Sequence, residues 1–321
     1  MRKPLRVLIT KLASMGDLIH LLPALSDARK AHPDIIFDWM VDKNFYEIAS
    51  LHPAINKTIL TNHRVWRSNL SKAVTWREFS SMVHTLREQS YDLVIDAQGN
   101  IKSAILSLFA KGPTVGFNGN SIQEWGAHFL YKKTFSASKN LHAIERLRTL
   151  FAKALDYPLP KTPPSYQISK EKLIKPPIFI PSSFLLFVPI ASHTSKLWPE
   201  ENWKTLIEKA LSLGHSILIP SGNLEEEKRA KRLARLPGVI ALPRLTLSEI
   251  GFLALHAKAV VSLDTGISHI AAALGTPTVS LYGPTNPFLT GTIGENQLWI
   301  SSFSLEQISP EDVLEKLKKA L

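Results

Sequence analysis

Three runs place reactive side chains directly after apolar stretches of strand character: Ser14-Met15-Gly16-Asp17 after Leu5–Thr10, Ser195-Lys196-Leu197-Trp198-Pro199 after residues 184–190, and Asp264-Thr265-Gly266-Ile267-Ser268-His269 after residues 259–263. A carboxylate at the position of Asp17, where a strand hands over to a helix, can take a proton from an attacking hydroxyl. Aspartate is also a preferred helix cap that gains from the helix dipole, and capping accounts for it equally well. Gly16 would let the chain turn sharply and allow a ligand close to the backbone. The Asp264–His269 run reads as strand, glycine turn and helix start, whose unpaired N–H groups and positive potential suit a pyrophosphate. Asp264 itself would repel phosphate, so its expected work is to orient the turn or to bind a hydroxyl. His269 can donate to a phosphate oxygen or be structural. Lys196 sits just outside a helix begun by Pro199, placed either to offset charge on a departing diphosphate or to stay solvated at the surface.

Other turns follow the same plan. Glu226, in Ser221-Gly222-Asn223-Leu224-Glu225-Glu226-Glu227, opens a helix and can accept from ribose hydroxyls or serve as first-turn acidity. Tyr282-Gly283-Pro284-Thr285 follows the last apolar strand of the second half. The first turn lacks the G-x-G-x-x-G of a dinucleotide site and the G-x-x-x-x-G-K-[ST] of a P-loop, which counts against hydride transfer and ATP-driven phosphoryl transfer. With no cysteine, disulfides and thiolate chemistry drop out. There is no Asp-x-Asp run to hold a metal-bound donor, so no metal and no cofactor is expected.

Short β-rich runs alternate with amphipathic helical stretches throughout, which predicts an α/β chain with parallel sheets covered on both faces. Strands are expected at Leu5–Thr10, Ile35–Val41, Leu93–Asp96, Thr114–Phe117 and residues 184–190, 216–220, 238–242, 259–263 and 277–281, with helices between them and a final helix at 310–320. A chain of 321 residues suits two domains of about 150 residues. Pro158, Pro160, Pro163, Pro164, Pro176, Pro177 and Pro181 mark the joint. The expected division is an N-terminal domain at 1–160, a linker at 161–181 and a C-terminal domain at 182–321, whose last helix packs back on the first domain. Two doubly wound domains of this kind place ligand-binding strand ends across a cleft. The net charge of +11 is uneven: residues 1–160 carry 21 Lys/Arg against 13 Asp/Glu, and the remainder 17 against 14. That favours an anionic partner, with nucleic acid disfavoured because basic and aromatic residues are not interleaved. Arg6, Lys11 and Asp17 interrupt any signal-peptide core, and no apolar stretch reaches the roughly 20 residues that span a bilayer.

Taken in order, Ser14-Met15-Gly16-Asp17-Leu18-Ile19-His20-Leu21-Leu22-Pro23-Ala24-Leu25, Asp96-Ala97-Gln98-Gly99, Lys196-Leu197-Trp198-Pro199-Glu200-Glu201 and Asp264-Thr265-Gly266-Ile267-Ser268-His269 resemble the bacterial lipopolysaccharide heptosyltransferase I family, within glycosyltransferase family 9. The resemblance implies a GT-B fold of two Rossmann-like domains and transfer of heptose from ADP-heptose to the first Kdo of Kdo2-lipid A, at the cytoplasmic face of the inner membrane. It makes Asp17 the base and Lys196 a catalytic contact to the donor phosphate. Ser192, Glu226, Leu245, Asp264, Thr265, Gly266 and His269 would bind the donor, Glu226 at the ribose and Leu245 beside adenine. Ser14, Gly16, Arg64, Arg67, Gln98 and Arg146 would meet the acidic acceptor. Two departures stand out: Ala191-Ser192 replaces a Thr pair, and Gln123-Glu124 stands where a further basic acceptor contact is expected. The expected reaction is one inverting displacement by a monomer. Heptosyltransferase II, a sugar-nucleotide epimerase of similar fold and a non-enzymatic anion binder are the alternatives.

Overall fold

The computed structural model describes residues 3–191 and 196–321. The chain divides into two compact units, Met1–Ser169 and Lys170–Leu321, and the division falls inside the proline-rich segment.

In the first unit the strands are β1 (Arg6–Thr10), β2 (Ile36–Asp42), β3 (Ile55–Thr61), β4 (Leu93–Asp96), β5 (Thr114–Phe117) and β6 (Lys133–Phe135). They form one parallel sheet in the order β3-β2-β1-β4-β5-β6. The helices are α1 (Met15–Ala31), α2 (Tyr46–Ser50), α3 (His63–Ser68), α4 (Ala73–Arg87), α5 (Ile101–Ser107) and α6 (Ala143–Ala154), with a 3-10 stretch at Trp125–Leu130. The central strands β1 and β4 are almost continuously apolar because helices cover both faces, as parallel sheets require.

The second unit repeats the plan with β7 (Phe184–Val188), α7 (Glu200–Leu211), β8 (Ser216–Ile219), α8 (Leu224–Leu233), β9 (Val239–Ala241), α9 (Leu247–His256), β10 (Val260–Leu263), α10 (Gly266–Ala273), β11 (Thr278–Tyr282), α11 (Pro287–Thr290), β12 (Gln297–Ser301) and α12 (Pro310–Ala320). Its order, β12-β11-β10-β7-β8-β9, is the first sheet's order read from the other edge. In each unit the direction of winding reverses beside the first strand, between β1 and β4 and between β7 and β10. Helices leave such a pair toward opposite faces, and the crevice at the strands' C-terminal ends is where open α/β sheets bind ligands.

Three strands escape the sequence pattern: β3, β6 and β12 are all edge strands with polar residues on the solvent side. The final helix α12 buries Val313 and Leu317 and packs on α7, β11 and β12 of its own unit, with Lys209 paired to Glu311.

One buried ion pair anchors the end of the first unit. Arg148 of α6 donates from Nε to Asp27 of α1 at 2.6 Å and from Nη1 to Glu145 at 2.8 Å, and its Nη2 reaches the carbonyls of Pro160 and Thr162. Arg148 and Asp27 are both buried. Removing the guanidinium leaves a buried carboxylate and two carbonyls without their donor, so Arg148→Ala should cost roughly 3–5 kcal/mol, read as a lowered urea midpoint.

Candidate functional site

The crevice of the first unit is built around the loop between β1 and α1. Its backbone is held from both neighbouring strands: Trp39 of β2 donates from its indole to the Lys11 carbonyl at 2.9 Å, and Gln98, beyond β4, accepts from the Leu12 and Ala13 N–H groups at 3.2 and 3.4 Å. Ser14 is the cap of α1, and Asp17 is the third helical residue rather than the cap. The Asp17 carboxylate reaches back so that Oδ2 accepts from both the Ser14 N–H and its hydroxyl, each at 2.8 Å. Gly16 lies inside α1 with no left-handed backbone, so it does not make the expected turn.

Asp17 borders two cavities. One, of about 470 Å³, is lined by Lys11, Asp17, Gln98, Gln123, Lys139 and Arg146 among others. The other, of about 210 Å³, is lined by Ser14, Asp17, His63, Arg64, Gln98, Asn100 and Lys102 with Leu12 and Ala13. Ser14, Arg64, Gln98 and Arg146 therefore line the cavities that Asp17 borders. Arg67, exposed one turn beyond Arg64, is not among the lining residues. The missing cation near Gln123 is supplied by Lys139, from a different loop, while Glu124 turns away to accept from the Ile101 N–H at 2.8 Å.

Lys11, His63, Lys102 and Lys139 were not singled out by sequence. Burial drives the Lys11 ammonium below its ordinary value, against the opposing pull of Asp17 and Asp96. Burial likewise lowers Arg146, which lies 5.2 Å from the Phe117 ring and has its Nε buried without a hydrogen bond. His63 lies 3.5 Å from Asp42 but is held low by burial, with Lys102 and Arg64 adding to the effect. Asp96 is a buried structural hub: it accepts from Gln98, Gly99, Ser103 and Tyr131.

In the second unit, the corresponding crevice brings Lys196 onto Asp264, with Nζ 2.5 Å from Oδ2. His269 of α10 faces the other oxygen at 3.9 Å. Burial alone would raise the Asp264 carboxyl, but hydrogen bonds from His269, Lys196 and Thr285 outweigh it and hold the group well below the usual carboxylate range. Lys196 is thus paired with Asp264 while its side chain stays partly exposed to the crevice. Its loop is anchored by Trp198, which is buried, packs edge-on to Trp203 at 5.1 Å and donates to the Ile308 carbonyl at 3.0 Å. Thr265 caps α10 and Gly266 is its first residue, again without left-handed backbone. The strand–glycine–helix pattern thus puts the N-terminus of α10 beside the charge-paired Asp264.

Glu226 lines a cavity of about 290 Å³ with Pro189, Ile190, Ala191, Asn223, Arg229 and Arg232. Its Oε2 accepts from the Gly222 N–H at 2.7 Å, while Asn223 caps α8. Leu245 is half-buried in the loop before Thr246, the cap of α9, and does not line this cavity. Ser192 lies outside the described residues.

The depressed Asp264 carboxyl fixes a pH window. Stabilisation from a carboxylate held low in the folded state is fully present above the unfolded value of about 4 and disappears as pH falls through the lower folded value. Asp264→Asn should therefore cost roughly 2 kcal/mol at neutral pH, with the gap between parent and variant closing only below about pH 4. Urea midpoints of both proteins across that range decide it, and a gap that closes near neutrality would contradict it.

Residues 79–320 match the family model described as glycosyltransferase family 9 (heptosyltransferase). The lipopolysaccharide heptosyltransferase 1 of Pseudomonas aeruginosa is 42% identical over 300 residues, 93% of this chain and 84% of that protein. Among solved structures, E. coli heptosyltransferase WaaC with ADP superposes with a TM-score of 0.93 at 37% identity, covering 99% of this chain and 100% of that one. The same enzyme with ADP-2-deoxy-2-fluoro heptose gives 0.90 at the same identity and coverage. Two doubly wound sheets of the GT-B class, the reactive turns at both winding reversals and identity across nearly the full length agree, and the chain belongs to glycosyltransferase family 9, the heptosyltransferases.

Proposed function

We propose that the protein transfers L-glycero-D-manno-heptose from ADP-heptose to the first Kdo of Kdo2-lipid A, with Asp17 as general base. The observation that carries this reading is the position of Asp17: a carboxylate oriented by Ser14 and flanked by two cavities rimmed with Lys11, Lys139 and Arg146 on one side and His63, Arg64 and Lys102 on the other. Cations on both sides suit an acceptor rich in carboxylate and phosphate. The type 1 relatives favour this acceptor over that of a type 2 enzyme, and family membership disfavours the epimerase and the simple anion binder.

The donor reading rests on the second unit and on the ADP and fluoro-heptose complexes of the E. coli enzyme. The diphosphate sits at the N-terminus of α10, touching Thr265 and Gly266, with Lys196 and His269 donating to it and the heptose against Asp264. Ribose hydroxyls bond to Glu226, whose Oε1 takes up the acceptor role because Oε2 is used by Gly222. Adenine lies by Leu245, and Ser192 completes the phosphate side.

In the reaction the acceptor hydroxyl oxygen forms a bond to the heptose anomeric carbon as the bond from that carbon to the ADP oxygen breaks, with inversion. The hydroxyl proton passes to Asp17 Oδ1, and ADP leaves with the electron pair. Two neutral donors on Oδ2 orient the carboxylate for the proton transfer. Charge growing on the ADP oxygen is met by Lys196 and the N–H groups of α10. Pairing with Asp264 holds Lys196 in place beforehand, so little reorganisation is needed when the charge develops.

ADP release and lipid mass, followed with ADP-heptose and Kdo2-lipid A, test the reading. The parent should add one heptose per ADP released, and Asp17→Asn should be slower by roughly a hundredfold or more. No heptosylated lipid from the parent overturns the substrate assignment, whereas equal turnover by the variant overturns the role of Asp17.

A further inference from the structure

Apart from Leu106, which is buried in the core, helix α5 is built inside out. Its small residues Ser103, Ala104 and Ser107 point inward, Ser103 bonding to Asp96 and Ser107 to Thr10, both buried. Its large aliphatics Ile101 and Ile105, with Leu108 at its C-terminal cap, are exposed. The spacing of these three, four and then three residues apart, puts them on one stripe. An ordinary surface helix does the reverse.

The 3-10 stretch Trp125–Leu130 lies directly beside that stripe. A Cβ on Gly126 would stand 3.8 Å from Ile101 Cδ1, and Glu124 holds the Ile101 N–H. Trp125 is 67% and Phe129 68% exposed, with their rings 5.1 Å apart, edge to face. Two elements far apart in sequence thus present five large apolar side chains side by side. Scattered exposed apolar residues need no explanation, but a contiguous group of this size marks an interaction surface.

Its surroundings select the partner. Lys102 follows Ile101, Lys111 stands three residues past Leu108, and Lys132 and Lys133 follow the 3-10 stretch; all four are exposed. The nearby acid, Glu124, is engaged by backbone. An apolar, aromatic-bearing platform ringed by lysines matches an anionic bilayer surface, where indole and phenyl rings settle at the headgroup boundary and each lysine adds attraction. Among the described residues no helix is long and apolar enough to cross a membrane, so attachment by such a surface fits the chain.

We propose that Ile101, Ile105, Leu108, Trp125 and Phe129, with the surrounding lysines, form the face by which this protein docks on an anionic lipid bilayer. The face adjoins the acceptor crevice: Lys102 lines the smaller cavity at Asp17, and Gln123, two residues before Trp125, lines the larger. Docking there would hold the crevice at headgroup level, a consequence that rests on the lipid-linked acceptor proposed above.

The test is flotation with vesicles of phosphatidylcholine alone or with about 30 mol % phosphatidylglycerol and no acceptor, using the parent and Trp125→Ser/Phe129→Ser. The parent should float with the anionic vesicles and far less with the neutral ones, and the double variant should bind roughly tenfold more weakly. Because both rings are exposed and outside the crevice, turnover on a water-soluble, deacylated Kdo acceptor should be unchanged, which also reports that the variant is folded. The proposal is overturned if the parent ignores anionic vesicles, if the variant floats equally well, or if the parent proves to be a dimer that the substitutions dissociate. Vesicle binding without turnover on any Kdo acceptor would sink the acceptor assignment and leave the docking face standing.

Discussion

Everything at this protein's two sites depends on the reversal of winding beside the first strand of each sheet. Between β1 and β4, and between β7 and β10, the following helices depart toward opposite faces, so no crossover closes the space beyond the strand ends. The first helical turns of α1 and α10, where N–H groups lack intrahelical acceptors, begin at that space. Each unit places a carboxylate there, Asp17 in one and Asp264 in the other, and the protein treats the two in opposite ways. Asp17 receives only the neutral donors of Ser14, whereas Asp264 receives Lys196 directly with His269 opposite. The two carboxylates stand on opposite sides of the reversal, Asp17 after the first strand of its sheet and Asp264 after the fourth strand of its own, one beside neutral donors and the other beside a cation.

That difference follows from what each crevice must do. A helix N-terminus cannot attract a diphosphate past an uncompensated carboxylate, so Asp264 needs a cation, and the pairing also positions that cation. Beside Asp17 the cations are close but held back. Lys11 is buried and its ammonium is already disfavoured, and it donates to the Ala97 carbonyl rather than to the carboxylate. Arg146 spends part of its guanidinium on the Ser121 carbonyl and lies near the Phe117 ring. Both put positive potential in the crevice without pairing directly with Asp17.

The sequence made the central strands legible because burial on both faces removes polar residues from them: Val7, Leu8 and Ile9 in β1 and Val260, Val261 and Leu263 in β10 are fully buried. The same physics hid β3, β6 and β12, whose outer positions meet water and break the apolar run. Of the site, the turn at Asp264 was readable from strand, glycine and helix start, and the position of Asp17 from its motif. What sequence could not give was partnership. Lys196 meets Asp264 across 68 residues, Gln98 clamps the Leu12–Ala13 backbone from another strand, and Lys139 fills the place expected near Gln123. Lys11 passed unnoticed because a lysine is rarely buried, and nothing local announces the exception.

Capping and the proposed catalysis, which the sequence set against each other as readings of Asp17, are compatible with one geometry. A carboxylate in the third position of a helix reaches back to the cap residue, and the two bonds from Ser14 fix its rotation as well as its place. The loop carrying Ser14 is in turn fixed by Trp39 and Gln98, so the orientation of the carboxylate is inherited from the sheet rather than from solvent-exposed chain. A reacting group needs to be held to within a fraction of an ångström, and side chains locked by a second layer of bonds achieve this better than mobile ones. The helix start that would explain Asp17 without function therefore also supplies the fixed orientation that the proposed base would need.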